Sequence, residues 1–400
     1  MHVIRVKEFN LGIIYFILWC VYNLQGVLYQ SGGLISRSIL MILLIWSIYV
    51  FFLVNKSFKS IPSFLKCLSV FIAILSVYGL ILIISGKELY VTEDLYVQVS
   101  NFDYIKNIYI SLLPIYVFYH YARFGIITVS HFRFMTIVLL IITILNFYHS
   151  RDLLMAESVA GREGFTLNVG YSFLRILPMF FFFQKKTTLQ HFLFVICLAF
   201  IVLSVKRGAI VISVFCYLLF LIYNIRAGRL RQKSSGIILS IISILFIGYF
   251  MADTMANNEY FMYRIEQTLE GDSSNRDEIY TTFASHFLNE QNLFAFLFGH
   301  GANSTLEIGR NFAHNDWLEI AINNGLIVVI IYIVFYISLF RCGYKVKAYS
   351  IEYSYSFIMS WIIMFISSFF SMSYTSVGLP IAIVIGFTLG TYQKLKFSHY

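Results

Sequence analysis

Apolar stretches of about 20 residues, enough to cross the hydrocarbon of a bilayer, recur from one end of this chain to the other. They run over Phe9–Tyr29, Ser38–Asn55, Cys67–Gly86, Asn107–Ala122, Phe134–Ser150, Phe165–Gln184, Thr187–Val205, Gly208–Ile225, Ser234–Ala252, Leu318–Phe340, Tyr353–Met372 and Ser373–Gln393. In hydrocarbon every backbone polar group needs an internal partner, so such stretches form helices or the strands of a closed barrel. The alternating pattern of barrel strands is absent. The composition agrees, with 59% hydrophobic and only 12% charged residues, against about 25% charged in soluble domains. The expected class is all-α: a polytopic integral membrane protein of about twelve transmembrane helices, forming a single transmembrane domain over residues 1–400. The short fourth stretch and the glycine-rich twelfth are the weakest of the set, and no internal repeat is visible. The first apolar run is too long for a signal-peptide core of roughly 7–15 residues and lacks a small-residue cleavage site, so it reads as a retained helix.

Basic residues set the orientation. With the N-terminus inside, alternate short loops collect Arg5 and Lys7; Lys56, Lys59 and Lys66; Arg123 and Arg133; Lys185 and Lys186; Arg226, Arg229, Arg231 and Lys233; Arg341, Lys345 and Lys347; and Lys394 and Lys396. That is 18 of the 29 Lys and Arg, so both termini are expected in the cytoplasm. The net charge of +9 is then a topology signal, and no nucleic-acid partner is expected. Cys20, Cys67, Cys197, Cys216 and Cys342 lie in or beside the spans with no C-x-x-C pair; they read as small core residues rather than a disulfide framework.

Three features exceed what crossing a membrane requires. The first is the long outer-side loop 253–316, with ten acids, three arginines and no lysine. Loops beyond about 12–15 residues are usually functional. In this one Tyr260, Arg264 and Thr268, then Ile279, Phe283 and Phe287, recur at helical spacing. Asp272–Asn275 offers N-cap residues for the second segment, which places Arg276 in that helix's first turn and predicts a lid packed on the membrane domain. The second is Lys206-Arg207-Gly208, wedged between two spans: either a tight turn with snorkelling side chains or an anion site at headgroup level. The third is Arg175 in the middle of a span. A charge there costs about 2.5–3.5 kcal/mol on insertion scales and marks a cavity or pathway; a polar cavity open to the outer side is expected. Arginine forks suit phosphate oxygens, so the partner expected from these residues is a membrane lipid carrying phosphate, handled by chemistry or by transport.

The segment Phe312-Ala313-His314-Asn315-Asp316-Trp317-Leu318-Glu319, ending in Asn324-Gly325-Leu326 at an apolar helix, resembles the signature of the O-antigen ligase and polymerase superfamily. That signature is a His-Asn pair, a leucine three residues on, then Gly-Leu opening a helix. Lys206-Arg207-Gly208-Ala209 resembles the family's Arg-Gly at a helix start. Asn275-Arg276-Asp277-Glu278-Ile279-Tyr280, followed by Phe298-Gly299-His300-Gly301, resembles its loop arginine and glycine turn. Gly161-Arg162-Glu163-Gly164-Phe165 with Asn168 resembles its outer loop before the middle helices. The resemblance spans residues 160–340, the family-like catalytic region, with two departures: Gly325-Leu326-Ile327-Val328 lacks the second glycine that often follows, and His300 interrupts the glycine turn. Each motif alone is weak, and their order strengthens them.

The resemblance implies a GT-C-like, metal-independent glycosyltransferase that moves glycan from undecaprenyl pyrophosphate to a hydroxyl on another glycolipid, with no cofactor. Carried over, Arg207 and Arg276 hold the pyrophosphate, with Lys206, Arg162 and Arg175 as further cations, and His314 sits at the reacting hydroxyl as the catalytic base. Each residue also has a plainer reading. His314 also fits an interfacial or capping histidine. Asn315 fits an N-cap as well as an acceptor-positioning group. Asp316 and Glu319 fit alternative bases or acceptor-positioning groups, and equally first-turn acids complementing the helix dipole. No Asp-x-Asp and no His/Cys cluster with metal-ligand spacing is present in the linear sequence. The function expected is an O-antigen polymerase (Wzy-type) joining lipid-linked oligosaccharide repeat units at the periplasmic face of a bacterial inner membrane. A chain-length regulator is a further partner to expect. The alternatives are an O-antigen ligase acting on lipid A-core and a lipid-linked oligosaccharide flippase. A flippase predicts two similar halves and short loops, neither of which is visible.

Overall fold

The computed structural model describes residues 2–93, 95–158, 167–183, 187–227, 230–257, 262, 266, 276–371 and 373–398. These residues form a helical bundle with one β-hairpin. Helices α1 (His2–Asn23), α2 (Leu34–Asn55) and α3 (Ser63–Ser85) lead into strands β1 (Leu89–Glu93) and β2 (Leu95–Val99), paired antiparallel with Leu89 opposite Val99. Then come α4 (Asn101–Leu112), α5 (Pro114–Arg123), α6 (Val129–Ser158) and α7 (Gly170–Ile176), which continues as a 3-10 helix over Leu177–Phe183. Next are α8 (Thr187–Leu203), α9 (Arg207–Ala227) and α10 (Leu230–Asn257). The loop contributes α11 (Arg276–Leu288), α12 (Leu293–Phe298) and α13 (Ser304–Ile308), and α14 (Asp316–Val346), α15 (Ile351–Ser367) and α16 (Leu379–Ser398) complete the bundle.

Each expected span falls on one of these helices or on two in series. Five are long and apolar enough to cross a bilayer alone, and shorter apolar helices accompany them. The protein is an all-α polytopic membrane protein. Leu34, Ile45, Ile84 and Leu245 are exposed, apolar surface of the kind that meets lipid or a partner.

The departures from expectation have local causes. Proline lacks an N–H and clashes in a helix interior but suits a first turn, so the fourth span is two helices, α4 and α5, meeting at Pro114. The glycine-rich last span holds because its glycines lie against backbone. A Cβ on Gly386 would come within 2.5 Å of Ile115 O, and one on Gly390 within 2.5 Å of Tyr119 O. This is the close helix approach that a G-x-x-x-G spacing permits. That span also starts later than expected. Residues 368–371 and 373–378 form an irregular stretch between α15 and α16, where hydrophobicity alone predicts continuous helix. The hairpin at 89–99 is a local exception to the helical class. It sits beside α13, and Lys87 Nζ pairs with Glu307 Oε1 at 2.8 Å.

The expected second loop helix is present and packs on the bundle. In helix α11 Phe283 is buried in a cluster with Ala313 and Ile322, flanked by Ile279 and Phe287. The series Tyr260, Arg264, Thr268 lies outside the described residues except for Glu266 and Met262 between its members, and Arg162, Lys185 and Lys186 also lie outside them.

Candidate active site

Helix α14 opens on Asn315, whose Oδ1 accepts from the N–H groups of Trp317 (2.9 Å) and Leu318 (3.2 Å). This is an N-cap, and the same side chain donates through Nδ2 to Phe369 O at 3.0 Å. The residue before it, His314, is half-buried with φ 50, a left-handed conformation uncommon outside glycine. Non-glycine residues held there cost of order 1–3 kcal/mol and persist where their surroundings over-determine them. Here the surroundings do so on both sides: Asn315 is fixed as a cap, and Ala313 N donates to Glu319 Oε2 at 2.8 Å.

Asp316 and Glu319 are both fully buried. Asp316 accepts from Tyr332 Oη (2.6 Å), Ser373 N (2.7 Å) and the Ser373 hydroxyl. Glu319 accepts on Oε1 from Thr305 Oγ1 (2.7 Å) and Asn323 Nδ2 (2.8 Å). Asn323 Oδ1 in turn accepts from Ser304 Oγ at 2.9 Å and Thr305 N at 3.2 Å. Buried carboxylates are tolerable only when so satisfied. This geometry gives the two acids a structural part beside the acceptor-positioning and base roles expected of them. They tie the loop before α14 and the stretch after α15 to one helix end.

Two of the motif glycines are a single contact. Gly299 (φ 74) and Gly325 (φ 75, ψ 178) lie backbone to backbone, and a Cβ on Gly325 would meet Gly299 N at 2.5 Å. Beside them His300 N donates to Ile322 O (3.0 Å) and Gly301 N to Asn323 O (2.9 Å). Gly325 also breaks the helical geometry of α14, separating a polar entry turn from the span proper.

The cations gather around tyrosines that the sequence reading gave no role. Arg207 and Lys206, both half-buried, lie where α8 ends and α9 begins; Val205 at φ 53 makes the reversal between them. The expected tight turn is therefore present. It does not exclude the anion reading, because Gly208 lies against Tyr171, whose hydroxyl a Cβ on Gly208 would meet at 2.3 Å. Tyr171 is also within electrostatic range of Arg276, Arg175 and Tyr280. The Tyr280 hydroxyl donates between Phe369 O (3.1 Å) and His314 O (3.3 Å). Burial pushes the Tyr280 phenol above its ordinary range, and the Arg276 guanidinium opposes that shift. Arg276 and Arg175 thus lie within electrostatic range of Tyr171, which packs on the Arg207 turn, and Tyr280 bonds the His314 backbone. A signal for both tyrosines was available: Tyr171/Arg175 and Arg276/Tyr280 are each four residues apart, the spacing that puts side chains on one helix face.

Arg175 donates to Ser376 Oγ (3.3 Å) and packs on Gly378. It lines a small cavity of about 170 Å³ whose walls mix Asn23, Asn146 and Ser172 with Leu139, Val169 and Leu379.

These observations describe a multi-pass helical membrane protein whose candidate site residues include arginines and tyrosines beside the packed helix α11. Residues 192–333 match the family model for O-antigen ligase, and this match supports the superfamily of O-antigen ligases and polymerases. The matched segment contains Arg207, Arg276 and His314; Arg175 and Arg162 precede it. No curated protein matches the chain.

Proposed function

We propose that the protein is an O-antigen polymerase, joining undecaprenyl-pyrophosphate-linked repeat units at the periplasmic face of the inner membrane, with both termini cytoplasmic. What supports this reading is the placement of Arg276 and Arg175 within electrostatic range of Tyr171, which packs on the Arg207 turn, together with the Tyr280 hydrogen bond to the His314 carbonyl. Arg207 and Arg276, assisted by Lys206, Arg175 and Arg162, hold the donor pyrophosphate. The acceptor hydroxyl gives its proton to the His314 imidazole as its oxygen bonds to the donor's anomeric carbon. The bond from that carbon to the phosphate oxygen breaks, and undecaprenyl pyrophosphate leaves with the electron pair. Fixed cations at the departing oxygens stabilise the charge that develops there. With arginines in that role the transfer step needs no metal at the reacting atoms. Polymerase is preferred over ligase for the Phe/Tyr/Ile-rich composition, the acidic lid and the additional Arg162 and Arg175.

The test is the glycolipid profile of a deletion strain complemented with variants. Deletion leaves single repeats on lipid A-core if the protein is a polymerase, and no repeats there if it is a ligase. Arg207→Ala and Arg276→Ala abolish long-chain product while inserting normally. Lysine at either position restores little, because it supplies charge without the bidentate fork. With purified lipid-linked substrate, His314→Gln loses about 10²–10⁴-fold in turnover with donor binding retained. A glutamine variant that polymerises normally removes His314 from the base role.

A further inference from the structure

The fold brings together three side chains that linear spacing keeps apart. His286 lies in the last turn of α11, Glu290 just beyond that helix, and His300 in the glycine turn. Each offers one ligand atom, and the three atoms lie within 4.8 Å of one another. Glu290 Oε2 is 3.0 Å from His300 Nε2, and the His286 and His300 rings are 5.1 Å apart between centroids. The plain alternative is an ion pair between Glu290 and His300. It leaves the His286 imidazole without a role, and His286 Nε2 is buried with no hydrogen-bond partner. An unpaired buried nitrogen is costly, and a cation at the centre of the three groups would engage that imidazole.

We infer that His286, Glu290 and His300 form a binding site for a divalent transition-metal ion, with zinc the best fit. Two imidazoles and one carboxylate suit zinc, whereas calcium and magnesium prefer all-oxygen sets. Zinc sites with three protein ligands keep a fourth position for water. The cluster borders an open cavity of about 650 Å³ lined by Thr282, Ser285, Asn289 and Gln291, which leaves room for one. The ligands come from two anchored pieces. His286 shares α11 with Arg276 and Tyr280, and His300 is fastened through its own N–H to Ile322 O on α14. The ion therefore staples the far end of the lid helix to the entry turn of α14. It stands apart from the reacting atoms of the proposed transfer, so the site does not depend on that function.

The test uses the full chain in nanodiscs, purified without a histidine tag and stripped with a chelator. Zinc uptake is read calorimetrically, and cobalt(II) serves as a visible-absorption probe that zinc displaces. The wild type is expected to take up one ion per chain. His286→Ala, His300→Ala and Glu290→Gln are each expected to weaken binding beyond the roughly 10–100-fold typical of losing an outer-shell partner. His191→Ala, at a histidine buried elsewhere in the bundle, is expected to bind as the wild type does. Because an alanine variant could fail to fold, His286→Cys provides an independent reading. It retains a zinc ligand and should add a thiolate-to-cobalt charge-transfer band. Limited proteolysis of 276–291 is expected to slow with zinc in the wild type and not in His300→Ala. No uptake by the stripped wild type, undiminished uptake in all three variants, or cobalt binding to the cysteine variant without the thiolate band would each overturn the site. Zinc binding without protection of the lid would overturn the staple.

Discussion

Changing Glu319 to glutamine keeps the side chain's shape and removes one acceptor. Three donors, Thr305 Oγ1, Asn323 Nδ2 and Ala313 N, converge on its two oxygens. An amide has one oxygen and a donating NH₂, so at least one buried donor must face another. Leaving such a group unsatisfied costs about 1–3 kcal/mol, concentrated on the loop that holds His314 at φ 50. Glu319→Gln is therefore expected to lower the melting temperature of the purified protein and its activity together. His314→Gln should leave the melting temperature unchanged and lower activity alone. Equal melting curves for wild type and Glu319→Gln would show that the carboxylate does not brace the loop. The sequence placed Asn315 as a possible cap and both acids in the first turn of a helix. It could not show their burial, because the partners that saturate them are remote: Ser373 lies 57 residues from Asp316, and Thr305 lies in a different short helix.

The junction of Gly299 with Gly325 sets the angle between the lid region and the span that follows it. Neither position has room for a methyl group, since the obstructing atoms are backbone on both sides. Both also have positive φ. Gly299→Ala and Gly325→Ala are each expected to destabilise by at least the roughly 1–3 kcal/mol typical of overpacking, read as loss of folded protein after detergent extraction. Gly301, whose Cβ would meet nothing within 4 Å, is the matched control and should tolerate alanine better, with only its φ of 110 opposing the change. If Gly325→Ala extracts as well as wild type, the backbone contact does not hold the junction. At this scale much was readable. Ile279, Phe283 and Phe287 of helix α11 face inward as their spacing predicts. The irregular stretch 373–378 was not readable, because its serines satisfy partners on other elements, such as Asp316 for Ser373 and Arg175 for Ser376, and hydropathy averages over that detail.

For the whole molecule, the bias of basic residues predicts that reporter fusions at Ser235 and Ser273 report opposite compartments, cytoplasmic and periplasmic. If both report the cytoplasm, the proposed active face is reversed. The all-helical bundle was legible in composition because hydrocarbon permits so few backbone solutions. The proximity of the Arg207 turn and of Arg276 to Tyr171 was not, since it depends on how distant segments pack. One such contact bears on how the chain is made. Arg175 meets Ser376 and Gly378 about two hundred residues later in synthesis, and the 3-10 segment behind it is buried on every side. During translation this segment must therefore enter the membrane before the groups that accept its charge exist. A lone arginine within a span costs up to about 2.5–3.5 kcal/mol, so the segment is a poor passenger in lipid until residues 376–378 arrive. A chain ending at Val346 should show incomplete insertion of residues 170–183 in a glycosylation-mapping assay, and the full chain should rescue it. Birth order, and not only the finished fold, then limits how much charge this site can carry.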